Sequence, residues 1–206
     1  MIIGEIMLDK EIKKILRTGI IKENSILWDE VKDGVLDRDF FEKHGISRTK
    51  LKKIYTPSFI TTIGRDAISN YYNLKIGSFP GVTLVREYAL RYNYKLKKLF
   101  LPNVEHIEHE TIRDNYSLRS ICIDKLKIVE YDCLRYNYKL RNLYLPNVKE
   151  VGDYSLKDNY RLKVLNIPSC ESVGKSSIKY NYSLAAINTL NIANIAEDSL
   201  CKNKNY

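Results

Sequence analysis

Asn137-Tyr138-Lys139-Leu140-Arg141-Asn142-Leu143-Tyr144-Leu145-Pro146-Asn147-Val148-Lys149-Glu150-Val151-Gly152-Asp153-Tyr154-Ser155-Leu156-Lys157-Asp158-Asn159 is one period of a pattern that fills most of this 206-residue chain. Its two ends belong to an asparagine column, Asn93, Asn115, Asn137, Asn159, Asn181 and Asn203, spaced by 22 residues throughout. Apolar columns keep the same register: Leu96, Leu118, Leu140, Leu162 and Leu184; Leu99, Ile121, Leu143, Leu165 and Ile187; Leu90, Ile112, Leu134, Leu156, Ile178 and Leu200. A period in the twenties with fixed apolar columns describes stacked supersecondary units that bury their faces on one another, so the chain reads as a solenoid.

Inside the unit, Leu143 and Leu145 alternate inward at period two, which predicts a short strand. Successive units set these strands side by side and parallel, and parallel neighbours need a long return path rather than a hairpin. The Pro, Gly and β-branched content of that path predicts extended segments plus a single helical or 3₁₀ turn around Asp153 to Leu156. The Asn column follows from the turn: backbone groups that a strand ladder does not reach need partners, and an amide side chain offers both a donor and acceptors. A residue that recurs in every unit is structural rather than catalytic.

The unit N-x-x-L-x-x-L-x-L-P-x-V resembles the BspA-like, or Treponema-type, leucine-rich repeat, from about Leu51 to the end of the chain. Pro57, Pro80, Pro102, Pro146 and Pro168 follow the strands, and Ile63-Gly64, Val151-Gly152 and Val173-Gly174 repeat one dipeptide. A column of small residues, Ala67, Ala89, Thr111, Cys133, Ser155, Ser177 and Ser199, precedes the Leu90 column. Leu or Ile stands where the family usually has Phe, and Tyr71 stands where the first Asn of the ladder is expected. The resemblance implies an α/β fold, a right-handed leucine-rich-repeat solenoid with a parallel concave β-sheet. Leu74 and Leu51 extend the pattern backward, the latter at a spacing of 23 that implies one extra residue near Ile60 to Thr62. Seven strands of this kind, with roughly 4.8 Å between neighbours, make a concave sheet on the order of 29 Å long. Arg91 to Leu96 recurs identically at Arg135 to Leu140, a sign of duplication by unit pairs.

Two regions result: residues 1–45, a helical N-terminal cap, and residues 46–206, an array of about seven repeats. The first contains no tyrosine although the chain has 16. Leu8, Ile12, Ile15 and Leu16 share one helical face up to Thr18-Gly19, Ser25 is placed to cap a helix through Trp28 to Val31, and Asp37 to cap another through Phe40 and Phe41. A first repeat has no predecessor to cover its apolar face, and these helices fit that task, with Trp28, Phe40 and Phe41 as core. The last unit reads as shifting register at Thr189-Leu190 without a cap, which leaves three expectations: a truncated array, a terminal unit that covers itself, or an edge covered by another molecule, as in an end-to-end homodimer.

The start of the sequence is interrupted by acids and carries no basic leader, and no apolar run reaches membrane-spanning length, which predicts an intracellular, non-membrane protein. Four single cysteines lack the spacing of zinc or disulfide frameworks, so no metal is expected. His106 and His109, with Glu108 and Glu110 between and after them, form the densest group of possible ligands, and as a pair they fall short of the three convergent side chains a metal needs. No phosphate-cradling loop or nucleophile motif is present, so neither catalytic residues nor a cofactor is expected.

Function is read from the outward positions of the strands. Lys98, Phe100, Asn142, Tyr144, Asn166 and Asn188, with Ser120, Cys122, Val164 and Ala186, vary while the framework columns stay fixed. This suits a non-enzymatic scaffold that binds a protein partner on its concave face, with Phe100 and Tyr144 as anchors. The alternative is a polyanion or nucleic-acid binder. It would use the basic columns Arg91, Arg113, Arg135, Lys157, Lys179 and Lys75, Lys97, Arg119, Arg141, Lys163 around the tyrosine column Tyr72, Tyr94, Tyr116, Tyr138, Tyr160 and Tyr182. A surface adhesin, as bacterial members of the family often are, is a third reading.

Overall fold

Each L-x-x-L-x-L run becomes a three-residue strand, and each return path adds a two-residue strand where the Val or Ile of the dipeptide column turns inward. The computed structural model describes residues 2–190 and 192–203 of the chain. In chain order the strands are β1 (Ile20–Ile21), β2 (Val35–Leu36), β3 (Lys53–Tyr55), β4 (Thr62–Ile63), β5 (Ile76–Ser78), β6 (Leu84–Val85), β7 (Lys98–Phe100) and β8 (His106–Ile107). They continue with β9 (Ser120–Cys122), β10 (Ile128–Val129), β11 (Asn142–Tyr144), β12 (Glu150–Val151), β13 (Val164–Asn166), β14 (Ser172–Val173), β15 (Ala186–Asn188) and β16 (Asn194–Ile195). Odd strands build the concave wall and even strands the opposite one, all parallel. The seven repeat strands expected from the sequence are β3 to β15 of the odd series.

Register follows the period: Leu143 pairs with Leu165 and Leu165 with Ile187. Lys53 pairs with Ile76 but Thr62 with Leu84, so the extra residue of the first unit lies between Tyr55 and Thr62. The inward side chains Leu140, Leu143, Leu145, Val148, Val151 and Leu156 are buried in one continuous core with their counterparts in the other units. Gly152 has a specific reason: a Cβ there would sit 2.8 Å from the carbonyl oxygen of Val129 in the preceding unit.

The turn that closes each unit is not helical, contrary to the expectation for Asp153 to Leu156. Two consecutive turns replace it, closed by Ser155 N–H to Gly152 O (3.3 Å) and Lys157 N–H to Tyr154 O (3.2 Å). Tyr154 and Asp158 both have left-handed backbones (φ 57° and 62°), and a left-handed residue stops helix propagation. The pair recurs by column, through Tyr88 and Tyr92, Glu110 and Asp114, Asp132 and Tyr136 and onward, with no glycine at these positions.

These turns also bond directly to one another. Asp132, Leu134 and Tyr136 donate their N–H groups to the carbonyls of Asp153, Ser155 and Lys157, at 3.0, 2.8 and 3.3 Å. The asparagines fill the remainder: Asn137 Oδ1 accepts from Asn115 N–H (3.2 Å), and its Nδ2 donates to Ile112 O (3.0 Å) and Leu134 O (2.7 Å). Asn93, Asn159 and Asn181 repeat this arrangement and are fully buried. Asn93 Oδ1 reaches back to Tyr71 N–H at 2.8 Å, so the ladder begins one unit before its first asparagine.

This spine is continuous where the sheets are not. The concave ladder divides into β1 to β9 and β11 to β15, and the opposite one into β2 to β8 and β10 to β16. The divisions fall between β9 and β11 and between β8 and β10, around the unit in which Asp124 stands at the position of Pro102 and Pro146. Across them the turn bonds Glu110 to Tyr131, Ile112 to Cys133 and Asp114 to Arg135 persist at 2.9 to 3.1 Å.

At the N-terminal end, helix α1 (Ile2–Thr18) is longer than expected, and α2 (Arg38–Lys43) is capped by Asp37 Oδ1 accepting from Phe40 N–H at 2.8 Å. Ser25 caps a 3₁₀ turn, Ile26–Glu30, in place of the predicted helix. Trp28, Phe40 and Phe41 are buried, with Trp28 stacked on Phe40. The same segment supplies β1 and β2, which pair with β3 and β4 and so lengthen both ladders. At the other end the register shift expected at Thr189-Leu190 does not occur, since Asn166 pairs with Asn188 and Ser172 with Asn194 at the same 22-residue offset; Leu190 is 80% exposed, and residues 204–206 lie outside the described residues.

Asn137→Ala leaves one N–H and two carbonyls of the spine without their partner and is expected to lower stability by roughly 1 to 3 kcal/mol in chemical denaturation. Tyr138→Ala, which removes a half-buried ring, is expected to cost less. Equal and negligible losses would remove the asparagines from this role.

Candidate functional site: the concave sheet and its basic flank

Side chains at alternate strand positions face away from the core, so two outward columns cross the concave sheet. Lys98, Phe100, Asn142, Tyr144 and Asn188 are exposed on it, and Asn166 is half-buried beside them. Phe100 is 44% and Tyr144 54% exposed, each the last residue of its strand and two units apart. Cys122 occupies the same column between them, half-buried, with burial and nearby Asp124 raising its thiol pKa.

Beyond the strand entry stands the tyrosine column, and its rings stack on each other. Tyr94, Tyr116, Tyr138 and Tyr160 are separated by 4.9, 4.8 and 4.8 Å between centroids and lie within 10° of parallel. Tyr72 and Tyr182 extend the stack at 5.7 and 5.3 Å. Rings this close cover one another's faces, so a nucleic-acid base finds no ring face between them.

The first basic column is engaged inside the protein. Arg113 forms ion pairs with Glu110 (3.1 Å), Asp114 (3.0 Å) and Asp132, and Arg135 with Asp158 (3.0 Å) and Asp132 (3.4 Å). Arg91 pairs with Glu110 and Lys179 with Asp198, both at 3.0 Å. The cations also lie on the second set of tyrosines, Arg91 over Tyr88 and Tyr92, Arg135 over Tyr136, and Lys157 over Tyr154 and Tyr180. Burial raises the pKa of Asp114 and Asp132 despite the arginine beside them, while those carboxylates hold Arg113 above its ordinary value against its own burial. This column braces the turns, and the polyanion alternative loses half of its cations.

The second basic column is free. The six segments 72–78, 94–100, 116–122, 138–144, 160–166 and 182–188 contain nine lysines and arginines and no Asp or Glu. None of the nine pairs with a carboxylate among the described residues; Lys95 bonds Asn73 Oδ1 instead. The absence of acids over a repeated seven-residue window is legible in the sequence, but counting charge per column rather than per segment hides it. Arg119, Lys139, Arg141 and Arg161 together line a cavity of about 340 Å³ on this flank.

His106 and His109 turn to opposite neighbours: His106 Nε2 meets Glu130 Oε1 at 2.6 Å, while His109 faces Glu87 at 3.7 Å and the edge of Tyr88. No group of three His, Cys, Asp or Glu side chains among the described residues converges on a metal-sized space. No helix among them is long and apolar enough to cross a membrane.

Arg113→Ala is expected to destabilise the fold by on the order of 2 kcal/mol, because it leaves the buried carboxylates with fewer partners, Asp114 with the Tyr116 hydroxyl and Asp132 with Arg135. Urea denaturation measures it. An unchanged midpoint would return Arg113 to the pool of free surface cations.

The fold is shared with solved leucine-rich repeat structures. A leucine-rich repeat protein from T. pallidum superposes with a TM-score of 0.67 at 18% identity, over 73% of this chain and 75% of that one. A leucine-rich cell surface protein from Faecalibacterium prausnitzii matches with a TM-score of 0.52 at 15% identity, over 76% of this chain and 51% of that one. No curated protein matches the sequence. The family model of the BspA-type leucine-rich repeat region matches residues 40–141 and 83–206 in six copies. With the asparagine spine, the parallel ladders and this match in agreement, the chain belongs to the BspA-type leucine-rich repeat family.

Proposed function

We propose that the chain is a non-enzymatic scaffold that captures a protein partner on its concave sheet. The observation that carries this reading is the pair Phe100 and Tyr144, two exposed aromatic rings on hydrogen-bonded strands, β7 in one part of the divided concave ladder and β11 in the other, whose other outward residues are mostly small or polar. Aromatic anchors on a rigid surface lose little conformational entropy on binding and dominate interface energetics. Lys98, Asn142, Asn166 and Asn188 would form the polar surround. Family membership is consistent with protein binding, and the partner's identity lies beyond it.

Nucleic-acid binding is the weaker reading because Arg113, Arg135 and Lys157 are held by carboxylates or tyrosine rings and the stacked tyrosines hide their faces. The four cysteines are unpaired, and Cys133 and Cys170 are buried, which suits a reducing, intracellular compartment.

Phe100→Ala and Tyr144→Ala are expected to abolish partner capture in an affinity pull-down while leaving thermal stability nearly unchanged. Arg113→Ala, at matched folded concentration, is expected to leave capture intact. A salt-sensitive gel shift with mixed-sequence RNA, indifferent to Tyr144→Ala, would overturn the proposal.

We propose that a second copy associates at the β15 and β16 end of the described array, where Leu190 and the β16 residue Ile195 are exposed. Leu190→Glu is expected to shift sedimentation toward the monomer. A concentration-independent monomer in the unmodified chain would remove this part of the proposal.

A further inference from the structure

We propose that Arg119, Lys139, Arg141 and Arg161 form a binding site for a phosphate monoester carried by the protein partner. The inference rests on the proposed concave-face scaffold and deepens it.

The chemistry of the cavity points to a dianion. Three guanidinium groups and one ammonium line about 340 Å³ with no carboxylate among the lining residues. Four cations held together repel, and among the described residues none has an acidic partner to offset this, in contrast to Arg113 and Arg135 one column away. A single carboxylate would leave most of that charge uncompensated. A phosphate monoester brings about −1.5 to −2 charges and three acceptor oxygens, and arginine forks match its geometry.

Position separates this cavity from the rest of the basic flank. Arg119 and Arg141 directly precede β9 and β11, the two strands between which the concave ladder is divided. Elsewhere in that column the backbone ties neighbouring units together, Arg119 N–H to Lys97 O at 3.0 Å and Lys163 N–H to Arg141 O at 2.6 Å. An anion here would bridge the two halves of the sheet through side chains where the ladder bonds are missing.

The cavity also adjoins an anchor. Arg141 leads into β11, whose last residue is Tyr144, so a chain lying across Tyr144 brings its neighbouring side chains to the flank. A protein partner is favoured over a nucleic-acid strand because the tyrosines that would stack bases already stack on each other.

The test uses the full chain and a short fluorescein-labelled peptide of neutral residues carrying one phosphotyrosine, compared by anisotropy with its unphosphorylated and glutamate-substituted forms. The phosphorylated peptide is expected to bind at least about tenfold more tightly than either. The pair Arg141→Gln with Arg161→Gln should abolish that difference. The pair Lys75→Gln with Lys97→Gln, equal in charge but outside the lining of the cavity, should preserve it. In parallel, inorganic phosphate should raise the melting temperature of the unmodified chain and of the Lys75/Lys97 variant more than that of the Arg141/Arg161 variant at matched ionic strength. Equal binding of the three peptides, equal losses in the two variant pairs, or tighter pocket-dependent binding of single-stranded RNA would each overturn the proposal. Phosphopeptide binding that survives Phe100→Ala, together with failed partner capture by the unmodified chain, would retire the scaffold reading and leave the anion site standing.

Discussion

The structure depends on satisfying the backbone at the corner where each return path re-enters the next unit. A chain bent twice through left-handed residues cannot use helical hydrogen bonds there, and burial denies it water. The solution has two parts. Alternate N–H groups reach the carbonyls of the following unit directly, and an asparagine amide supplies what is left, accepting from the previous asparagine and donating to two carbonyls. Everything else in the fold is hung on that corner: the apolar columns, both ladders and the tyrosine stack inherit its spacing.

That dependence explains why the concave and opposite sheets can each be divided while the stack continues. Interstrand bonds in a two- or three-residue strand are few, so a small local displacement is enough to misalign them. The corner carries several bonds per unit inside a dry core and holds its geometry across the same point. The tyrosine rings lie beside it at nearly the strand spacing and stack because their attachment points are fixed.

The fold was legible because its determinants recur. Leu140, Leu143, Leu145 and Asn137 each have counterparts at the same offset, and repetition turns weak local preferences into a pattern. What stayed hidden depends on relations between columns. Arg91 with Glu110, Arg113 with Asp132 and Lys179 with Asp198 pair at a separation of 19 residues, three short of the period, so no single column shows them. The left-handed turn positions were hidden for another reason: Tyr, Asp, Glu and Ser occupy them where glycine would have announced them. Strand alternation alone places the outward residues Phe100 and Tyr144 on the surface, whereas the engaged basic column differs in sequence from the free one only by the acids in its neighbourhood, and which cation meets which carboxylate follows from the stacking of the units.

Every bond of the corner runs within one unit or between one unit and its neighbour. Asn137 reaches Asn115, Ile112 and its own turn, and none of its contacts registers how many units lie beyond. The length of the array is therefore not fixed by its own interior. Gain or loss of a whole 22-residue segment preserves the bonding scheme at the new junction, and the identical stretches Arg91 to Leu96 and Arg135 to Leu140 are what such an event leaves behind. For a surface that recognises by its reach, this makes span an inheritable variable: each added copy lengthens the concave wall by roughly 4.8 Å without requiring a new core.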